Sequence, residues 1–202
     1  MTVLERTEIK LEWTDIESRV QHTSPRLSRA SGVHLSGVIR HIAIASGLLE
    51  SITDLDAEEM PLRMAMGMAW EEWAVGLYPD MIWQPGELSL DGISGNPDGF
   101  GVVQDEPAIE EFKLTWKSEN TRKNILSEWM WLTQIKGYCR LMESRIGIPV
   151  RTGRLHVLWV NGDYRPPSPI YYRYLIGFTD NDINSNWSLM LNYRDSDGVR
   201  KE

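Results

Sequence analysis

The chain has 202 residues, of which 42% are hydrophobic, and its formal net charge is -8, which suits one domain with a core and leaves little room for two. Its single cysteine, Cys139, excludes an internal disulfide and any cluster held by several cysteines. No apolar run approaches the roughly 20 residues that span a bilayer, and the charged N-terminus lacks the apolar core of a signal peptide.

The first 80 residues predict an arm followed by two helices. Residues 1–24 show no clear period, so we expect an N-terminal arm or a peripheral helix. Residues 27–49 carry a helix-like apolar pattern, with Ser36 as the N-cap of its regular part. Residues 60–78 predict a second helix, which ends at a proline. Its internal Gly67 costs about 1 kcal/mol relative to Ala, which predicts a close packing partner.

The rest of the chain predicts a mixture of strands and helices. Three strands of a β-meander, a long helix and two further strands are expected at residues 87–92, 96–103, 108–116, 125–145, 154–160 and 171–178. The resulting fold class is α/β, with a mixed central sheet flanked by helices. We expect one domain over residues 25–178, followed by a polar C-terminal tail over residues 179–202.

Charge is divided unevenly along the chain. Residues 51–111 hold 14 acidic side chains and one basic side chain, whereas residues 112–175 hold 11 basic and four acidic ones. Chance clustering is one explanation. The functional explanation is an acidic half that binds metal, facing a basic groove that follows a phosphate backbone.

Three residues in the middle of the chain have the chemistry of a metal-assisted hydrolase. Asp98 lies in a glycine-containing turn, and Glu111 and Lys113 lie two apart on a predicted strand, so their side chains share one face. Two carboxylates can hold a divalent cation, and an ammonium beside them can assist attack on a phosphodiester. The alternative is a solvated strand edge, which is the common role of an acidic-x-Lys pattern.

This spacing resembles the signature of the PD-(D/E)XK nuclease superfamily. The resemblance implies that Asp98, Glu111 and the backbone carbonyl of Phe112 bind Mg²⁺, for which Mn²⁺ can substitute. It also implies that Lys113 either orients or deprotonates the attacking water, or stabilises developing charge. The family core has the same order of helices and strands as the order expected here.

Two further elements strengthen the resemblance. Gln134 and Tyr138 lie four apart on the long helix and share a face, as in the Gln-x-x-x-Tyr element of the RecB-type subgroup. Gly67 and Glu71 resemble the Gly-x-x-x-Glu of lambda-exonuclease-type enzymes, in which the Glu is another metal ligand. Glu72 is the competing candidate, since the two residues differ by about 100° around the helix.

Several basic residues are candidates for contacts with DNA phosphates. Arg29 and Ser36 resemble an Arg-to-Ser element of lambda-type exonucleases, in which the Arg grips the terminal phosphate. The other candidates follow the predicted catalytic strand or lie on the long helix: Lys117, Arg122, Lys123 and Arg140. Solvated surface positions are the alternative for all of them.

The resemblance implies a Mg²⁺-dependent DNA exonuclease of the lambda-exonuclease or RecB-like type, encoded by a phage, that processes DNA for recombination. Its expected substrates are DNA ends or single strands. A single-strand annealing protein and a homo-oligomer are compatible partners, and the cytoplasm is the expected location. No iron–sulfur cluster is expected, because only Cys139 is present. A single-strand or structure-specific endonuclease and an inactive DNA-binding module remain as alternatives.

Overall fold

The computed structural model describes residues 1–9, 33–49, 54–116, 124–160 and 169–196, with residues 54–64 as backbone alone. The helices in these ranges are α1 (Leu35–Ala45), α2 (Asp54–Val75), α3 (Trp129–Ile146) and α4 (Asp180–Arg194). The strands are β1 (Thr2–Ile9), β2 (Val33–His34), β3 (Ile82–Trp83), β4 (Leu88–Leu90), β5 (Ile93–Gly95), β6 (Gly99–Val103), β7 (Glu106–Thr115), β8 (Thr152–Trp159) and β9 (Ile170–Gly177). None of these helices is long and apolar enough to cross a membrane.

A six-stranded mixed sheet forms the centre of the fold, in the order β1-β9-β8-β7-β6-β3. Strands β7 and β8 are parallel, and the other neighbours in this sheet are antiparallel. The parallel pair requires a crossover, which α3 provides between the two strands. The expected fold class, a mixed α/β sheet flanked by helices, is confirmed.

The alternation of side chains along β7 divides the sheet into two faces. Ile109 points towards α3 and belongs to the main core, together with Leu155 of β8 and Ile135 of α3. Phe112 points to the opposite face, where it packs in a second cluster with Trp70 of α2. Neighbouring residues of β7 therefore serve two different layers, because successive side chains of a strand point to opposite sides.

Helix α3 lies close to α1 at a glycine. A Cβ built on Gly137 would be 2.7 Å from Cδ2 of Leu35, which is fully buried. Only a residue without a side chain allows this approach. By contrast, a Cβ on Gly67 of α2 would meet nothing within 4 Å among the atoms that the structure describes. The described residues therefore supply no close packing partner for Gly67, contrary to expectation.

The β-meander differs from expectation in its first strand. Strands β3, β6 and β7 are antiparallel neighbours in the large sheet, but β4 and β5 lie between β3 and β6 in the chain. The expected three-stranded meander is therefore wrong, and only its last two strands, β6 and β7, are neighbours in both the chain and the sheet. The segment expected to open it forms β4, which pairs with β5 and β2 in a separate three-stranded sheet. A tight turn with positive φ at Asp91 (51°) and Gly92 (76°) joins β4 to β5 and prevents this segment from continuing into the large sheet.

Both ends of the chain contribute to the fold. Residues 2–9, within the expected arm or peripheral helix, form the edge strand β1 and pair with β9. Residues 180–194, within the expected polar tail, form α4, which begins with a capping box between Thr179 and Asp182. Buried Ile183, Trp187 and Met190 follow the helical spacing and attach α4 to the main core.

The start of α1 also differs from expectation in its cap. His34 is the N-cap residue, and its side chain accepts a hydrogen bond from the backbone N–H of Ser36. Ser36 is thus inside the first turn and is not the N-cap. The hydroxyl of Ser36 lies 2.8 Å from Nδ1 of His34, so the two side chains form one small polar group at this helix end.

Candidate functional site

The structure brings Asp98 and β7 together at the point where β6 and β7 separate. The β6–β7 pairing reaches Gly99 and Glu110, and beyond it the backbone N–H of Phe112 donates to Oδ2 of Asp98 at 2.9 Å. In a strand, the N–H and C=O of one residue point towards the same neighbouring strand. The carbonyl of Phe112 therefore points to the side occupied by Asp98.

Lys113 is held by acceptors from two elements. Its Nζ forms an ion pair with Glu111 on the same face of β7 and donates to Oε1 of Gln134 at 3.1 Å. Nε2 of Gln134 in turn donates to the hydroxyl of Tyr138 at 3.0 Å. Because an ammonium only donates, its contact fixes Oε1 towards Lys113 and Nε2 towards Tyr138. Gln134 and Tyr138 thus form one side of the site, as their spacing on α3 predicts.

Burial and like charge dominate the electrostatics of this group. Glu111 is 1% exposed, and burial together with the carboxylate of Asp98 raises its pKa to about 8, despite the ammonium of Lys113. Burial alone would lower the pKa of Lys113, but the carboxylates of Glu111 and Asp98 outweigh it and raise that pKa. Burial and the same two carboxylates raise the pKa of Tyr138 well above its usual value.

Glu71 belongs to the same electrostatic group. Its charge raises the pKa of Glu111 and of Lys113, although it lies on α2 and they lie on β7. It also acts on Tyr138 of α3. Glu71 therefore acts electrostatically on residues of both β7 and α3, and it stays the predicted acidic residue of α2.

The residues present fit a hard divalent cation. Oε2 of Glu111 is buried and has no hydrogen-bond partner in the described ranges, which is costly for a carboxylate oxygen unless a cation faces it. The available donors are carboxylate oxygens and the carbonyl of Phe112, which are ligands that Mg²⁺ accepts together with water. No group of three His, Cys, Asp or Glu side chains within those ranges forms a metal cage. Two carboxylates, a carbonyl and waters are the set that remains.

Of the residues predicted to contact DNA, the structure describes only Ser36 and Arg140. Arg29, Lys117, Arg122 and Lys123 lie outside the described residues. Arg140 lies about 200° around α3 from Tyr138, and its guanidinium pairs with Glu143 at 3.1 Å, so the structure does not bring it to the site. Ser36 lies in the first turn of α1, beside His34.

A buried polar chain on the α2 face of the sheet was not expected. It comprises Glu110, His156, Tyr171 and Tyr78. Nε2 of His156 lies 2.8 Å from Oε2 of Glu110, and Nδ1 lies 2.6 Å from the hydroxyl of Tyr171, which lies 2.7 Å from that of Tyr78. Glu110 stands within an apolar run of the sequence, and a Glu inside such a run signals a buried partner.

The charges of this buried polar chain follow from its partners. Burial would raise the pKa of Glu110, but His156 and the guanidinium of Arg154 outweigh burial and lower it. Nε of Arg154 lies 2.7 and 2.9 Å from the two carboxylate oxygens. Burial lowers the pKa of His156, so the ring is neutral and its Nε2–H donates to the carboxylate. Nδ1 then accepts from Tyr171, which accepts from Tyr78.

Comparisons with known proteins add a likeness of fold. No family model and no curated protein matches the chain. An alkaline exonuclease (LHK-Exo) from Laribacter hongkongensis is similar at 14% identity and a TM-score of 0.44, with 89% of each chain covered. A phage-related exonuclease from Haemophilus somnus 129PT is similar at 10% identity and a TM-score of 0.44, covering 94% of this chain and 95% of its own.

A third solved structure, described as SSO0001, is similar at 14% identity and a TM-score of 0.46, covering 91% of this chain and 84% of its own. These likenesses are too weak to assign an activity, which we therefore argue from the residues of the site.

Proposed function

We propose that this protein is a metal-dependent deoxyribonuclease that hydrolyses phosphodiester bonds, with the exonuclease as its leading form. The observation that carries the proposal is the buried ion pair of Glu111 and Lys113 beside Asp98, in which one oxygen of Glu111 has no hydrogen-bond partner in the described ranges. A buried ion pair is favourable for folding only if its remaining acceptor oxygens are also satisfied. A buried pair with one unpartnered oxygen, beside a second carboxylate, is therefore the arrangement expected of a site that binds a cation.

The carboxylates of Asp98 and Glu111 and the carbonyl of Phe112 would hold the ion in this proposal, and Glu71 of α2 would approach to complete the set when the ion binds. Bound Mg²⁺ supplies charge neutralisation at the phosphoryl oxygens and lowers the pKa of a coordinated water. Asp98 has a second task in the protein itself, because its Oδ2 accepts the N–H of Phe112 and so holds the loop before β6 against β7.

Lys113 acts as a cation in this mechanism. Its raised pKa keeps the ammonium protonated at neutral pH, so it donates to the attacking water or to a phosphoryl oxygen and does not serve as a base. Gln134 supplies the second acceptor that orients the ammonium, and Tyr138 holds the amide of Gln134 in the orientation that presents Oε1. Orientation of this kind contributes to the rate because it is in place before the substrate binds.

The preference for an exonuclease rests on the resemblance of Arg29 and Ser36 to an element that grips a terminal phosphate. A guanidinium binds a phosphate through two parallel hydrogen bonds. An origin in a phage, a single-strand annealing protein as partner and a homo-oligomer stay predictions of the same resemblance.

The test compares the wild type with Lys113→Ala on linear duplex, on a closed single-stranded circle and on nicked plasmid, each with Mg²⁺ and with EDTA. Lys136→Ala is the matched control, because it removes a lysine from the neighbouring helix α3. We expect Mg²⁺-dependent loss of the linear duplex, abolished by Lys113→Ala and retained by Lys136→Ala. Cutting of the closed circle would assign an endonuclease instead. DNA binding without cleavage of any substrate would overturn the enzyme in favour of a binding module.

A further inference from the structure

The buried polar chain links the two elements that carry the proposed metal ligands. Tyr78 follows the C-terminal end of α2, which carries Glu71, and Glu110 lies on β7 beside Glu111. Between them, Tyr171 and His156 are 1% and 0% exposed, and each bond of the chain is 2.6–2.8 Å long. An unbroken hydrogen-bond path, buried at Glu110, His156 and Tyr171 and half-buried at Tyr78, therefore runs from the end of one ligand-bearing element to the middle of the other.

Ring contacts reinforce this link at its two inner residues, His156 and Tyr171. The imidazole of His156 stacks on Phe112 with ring centroids 4.3 Å apart and planes inclined by 16°. The ring of Tyr171 meets Trp70 edge-on, with centroids 4.9 Å apart. Phe112 supplies the carbonyl that faces Asp98, and Trp70 precedes Glu71 in the chain. Each inner member thus contacts a residue that is either a proposed ligand or adjacent to one.

We propose that Tyr171 and Tyr78 are positioning residues, which fix α2 against β7 through the buried polar chain and so set the distance between Glu71 and the pair of Asp98 and Glu111. This inference rests on the proposed function, because it concerns the same metal site. Neither hydroxyl faces the α3 side of the sheet, on which Glu111 and Lys113 lie. They act through the placement of the helix and not by contact with substrate.

The burial of this polar chain explains why it can hold α2 firmly in its position against β7. A buried hydroxyl without a partner is costly, so α2 cannot slide or rotate on the sheet without breaking the contact of Tyr78 with Tyr171. Partners that orient metal ligands in this indirect way typically contribute about 10–100-fold to metal affinity or activity. The structure therefore leads us to expect an effect on metal affinity from residues on the opposite face of the sheet.

The experiment measures Mn²⁺ affinity by electron paramagnetic resonance in Tyr171→Phe and in Tyr78→Phe, which keep the rings and remove the hydroxyls. Tyr172→Phe is the matched control, because it changes the next residue of β9, which points to the α3 face and contacts Arg6. We expect the Kd for Mn²⁺ to rise about tenfold in both variants and to change less than about twofold in the control. The variant that carries both Tyr78→Phe and Tyr171→Phe should bind Mn²⁺ as tightly as Tyr171→Phe alone, because both hydroxyls belong to one hydrogen-bond path.

The Mg²⁺ dependence of DNA cleavage supplies an independent readout. We expect a higher Mg²⁺ concentration at half-maximal rate, with the maximal rate close to that of the wild type. Wild-type Mn²⁺ affinity in both variants would overturn the inference, even if their melting temperatures fall. If Tyr171→Phe fails to fold, Tyr78→Phe decides the question alone. A wild type that shows no Glu111-dependent Mn²⁺ binding would instead overturn the proposed function, and the inference with it.

Discussion

Nζ of Lys113 lies 3.1 Å from Oε1 of Gln134, so one ammonium is shared between the central strand β7 and the crossover helix α3. The strand supplies the charged partner Glu111, and the helix supplies a neutral one. A charged acceptor stabilises the cation, whereas a neutral amide orients it without cancelling its charge. The position of α3 over the sheet is therefore part of the chemistry that we propose.

Gln134→Ala removes the neutral acceptor of Lys113. We expect kcat to fall by about 10–100-fold while KM changes little, because a misoriented group costs rate and not substrate binding. Tyr138→Phe keeps the ring and removes the acceptor of the amide, so it should lower kcat in the same direction but by less. Steady-state cleavage of a linear duplex measures both. Equal losses in the double variant and in Gln134→Ala would show that Tyr138 acts through Gln134.

Glu111→Gln should change how stability depends on pH. The pKa of Glu111 is raised from 4.5 to about 8 in the folded protein, so the folded state binds more protons than the unfolded state between these values. The free energy of unfolding of the wild type therefore falls as pH rises through this window, and the glutamine variant lacks that fall. Thermal unfolding in EDTA measures the melting temperature of the variant minus that of the wild type. This difference should increase by roughly 5 °C between pH 5 and pH 8.

Glu106→Gln is the control for this effect, because it removes an exposed glutamate from the same strand. It should follow the wild type across the pH range. Parallel curves for Glu111→Gln and the wild type would contradict the raised pKa. Addition of Mn²⁺ at pH 8 should stabilise the wild type much more than Glu111→Gln, because the neutral amide is a weaker ligand for the ion than the carboxylate that it replaces.

Two glycines in helices should respond to alanine in opposite directions. Gly137→Ala places a methyl group 2.7 Å from Cδ2 of Leu35 and should destabilise the fold by about 1–3 kcal/mol. Gly67→Ala meets no described atom within 4 Å and should stabilise α2 by up to about 1 kcal/mol. Urea denaturation measures both. Full stability with reduced DNA cleavage in Gly67→Ala would indicate that the glycine leaves room for the substrate.

Trp187→Phe should weaken the attachment of α4. The indole Nε1 of Trp187 donates to Oδ2 of Asp91 at 2.9 Å, which ties the helix to the turn between β4 and β5. Loss of the hydrogen bond and of part of the ring should cost about 1–3 kcal/mol of unfolding free energy, measured with urea. Trp116→Phe is the control, since Trp116 is 44% exposed, and its effect should stay within about 0.5 kcal/mol.

The residues that sequence reasoning brought together share one element or lie beside a turn. Glu111 and Lys113 lie on one strand, and Gln134 and Tyr138 on one helix, so local periodicity alone places each pair on one face. The pair on β7 contacts the pair on α3 because α3 crosses over the sheet. The predicted order, a helix between two strands, is compatible with such a crossover. The motif residues could therefore be proposed as a group before their geometry was known.

The features that sequence reasoning missed depend on distant partners. Glu110 is buried because Arg154 and His156 come to it from the neighbouring strand β8, and spacing along one strand does not reveal such partners. The edge strand β1 is specified by its pairing with β9, and no local pattern marks it. In α4, Ile183 stands among polar and acidic residues in the first half of the helix, so the segment resembles a polar tail in sequence, and only its capping box and the burial of Trp187 and Met190 identify it as a packed helix.

The position of β1 also sets an order of assembly. Thr2 pairs with Gly177 and Ile9 with Tyr171, so β1 cannot pair until β9, the last described strand in chain order, has been made. Strands β6 and β7 and helix α3, which carry the proposed site, are close neighbours in the chain and can associate much sooner, because short loops close at a lower entropic cost. During synthesis the chain can therefore gather the residues of the proposed site while β7 is still an open edge, to which β8 and then β9 have yet to be added. That edge is the surface that a chaperone or a second nascent chain would meet.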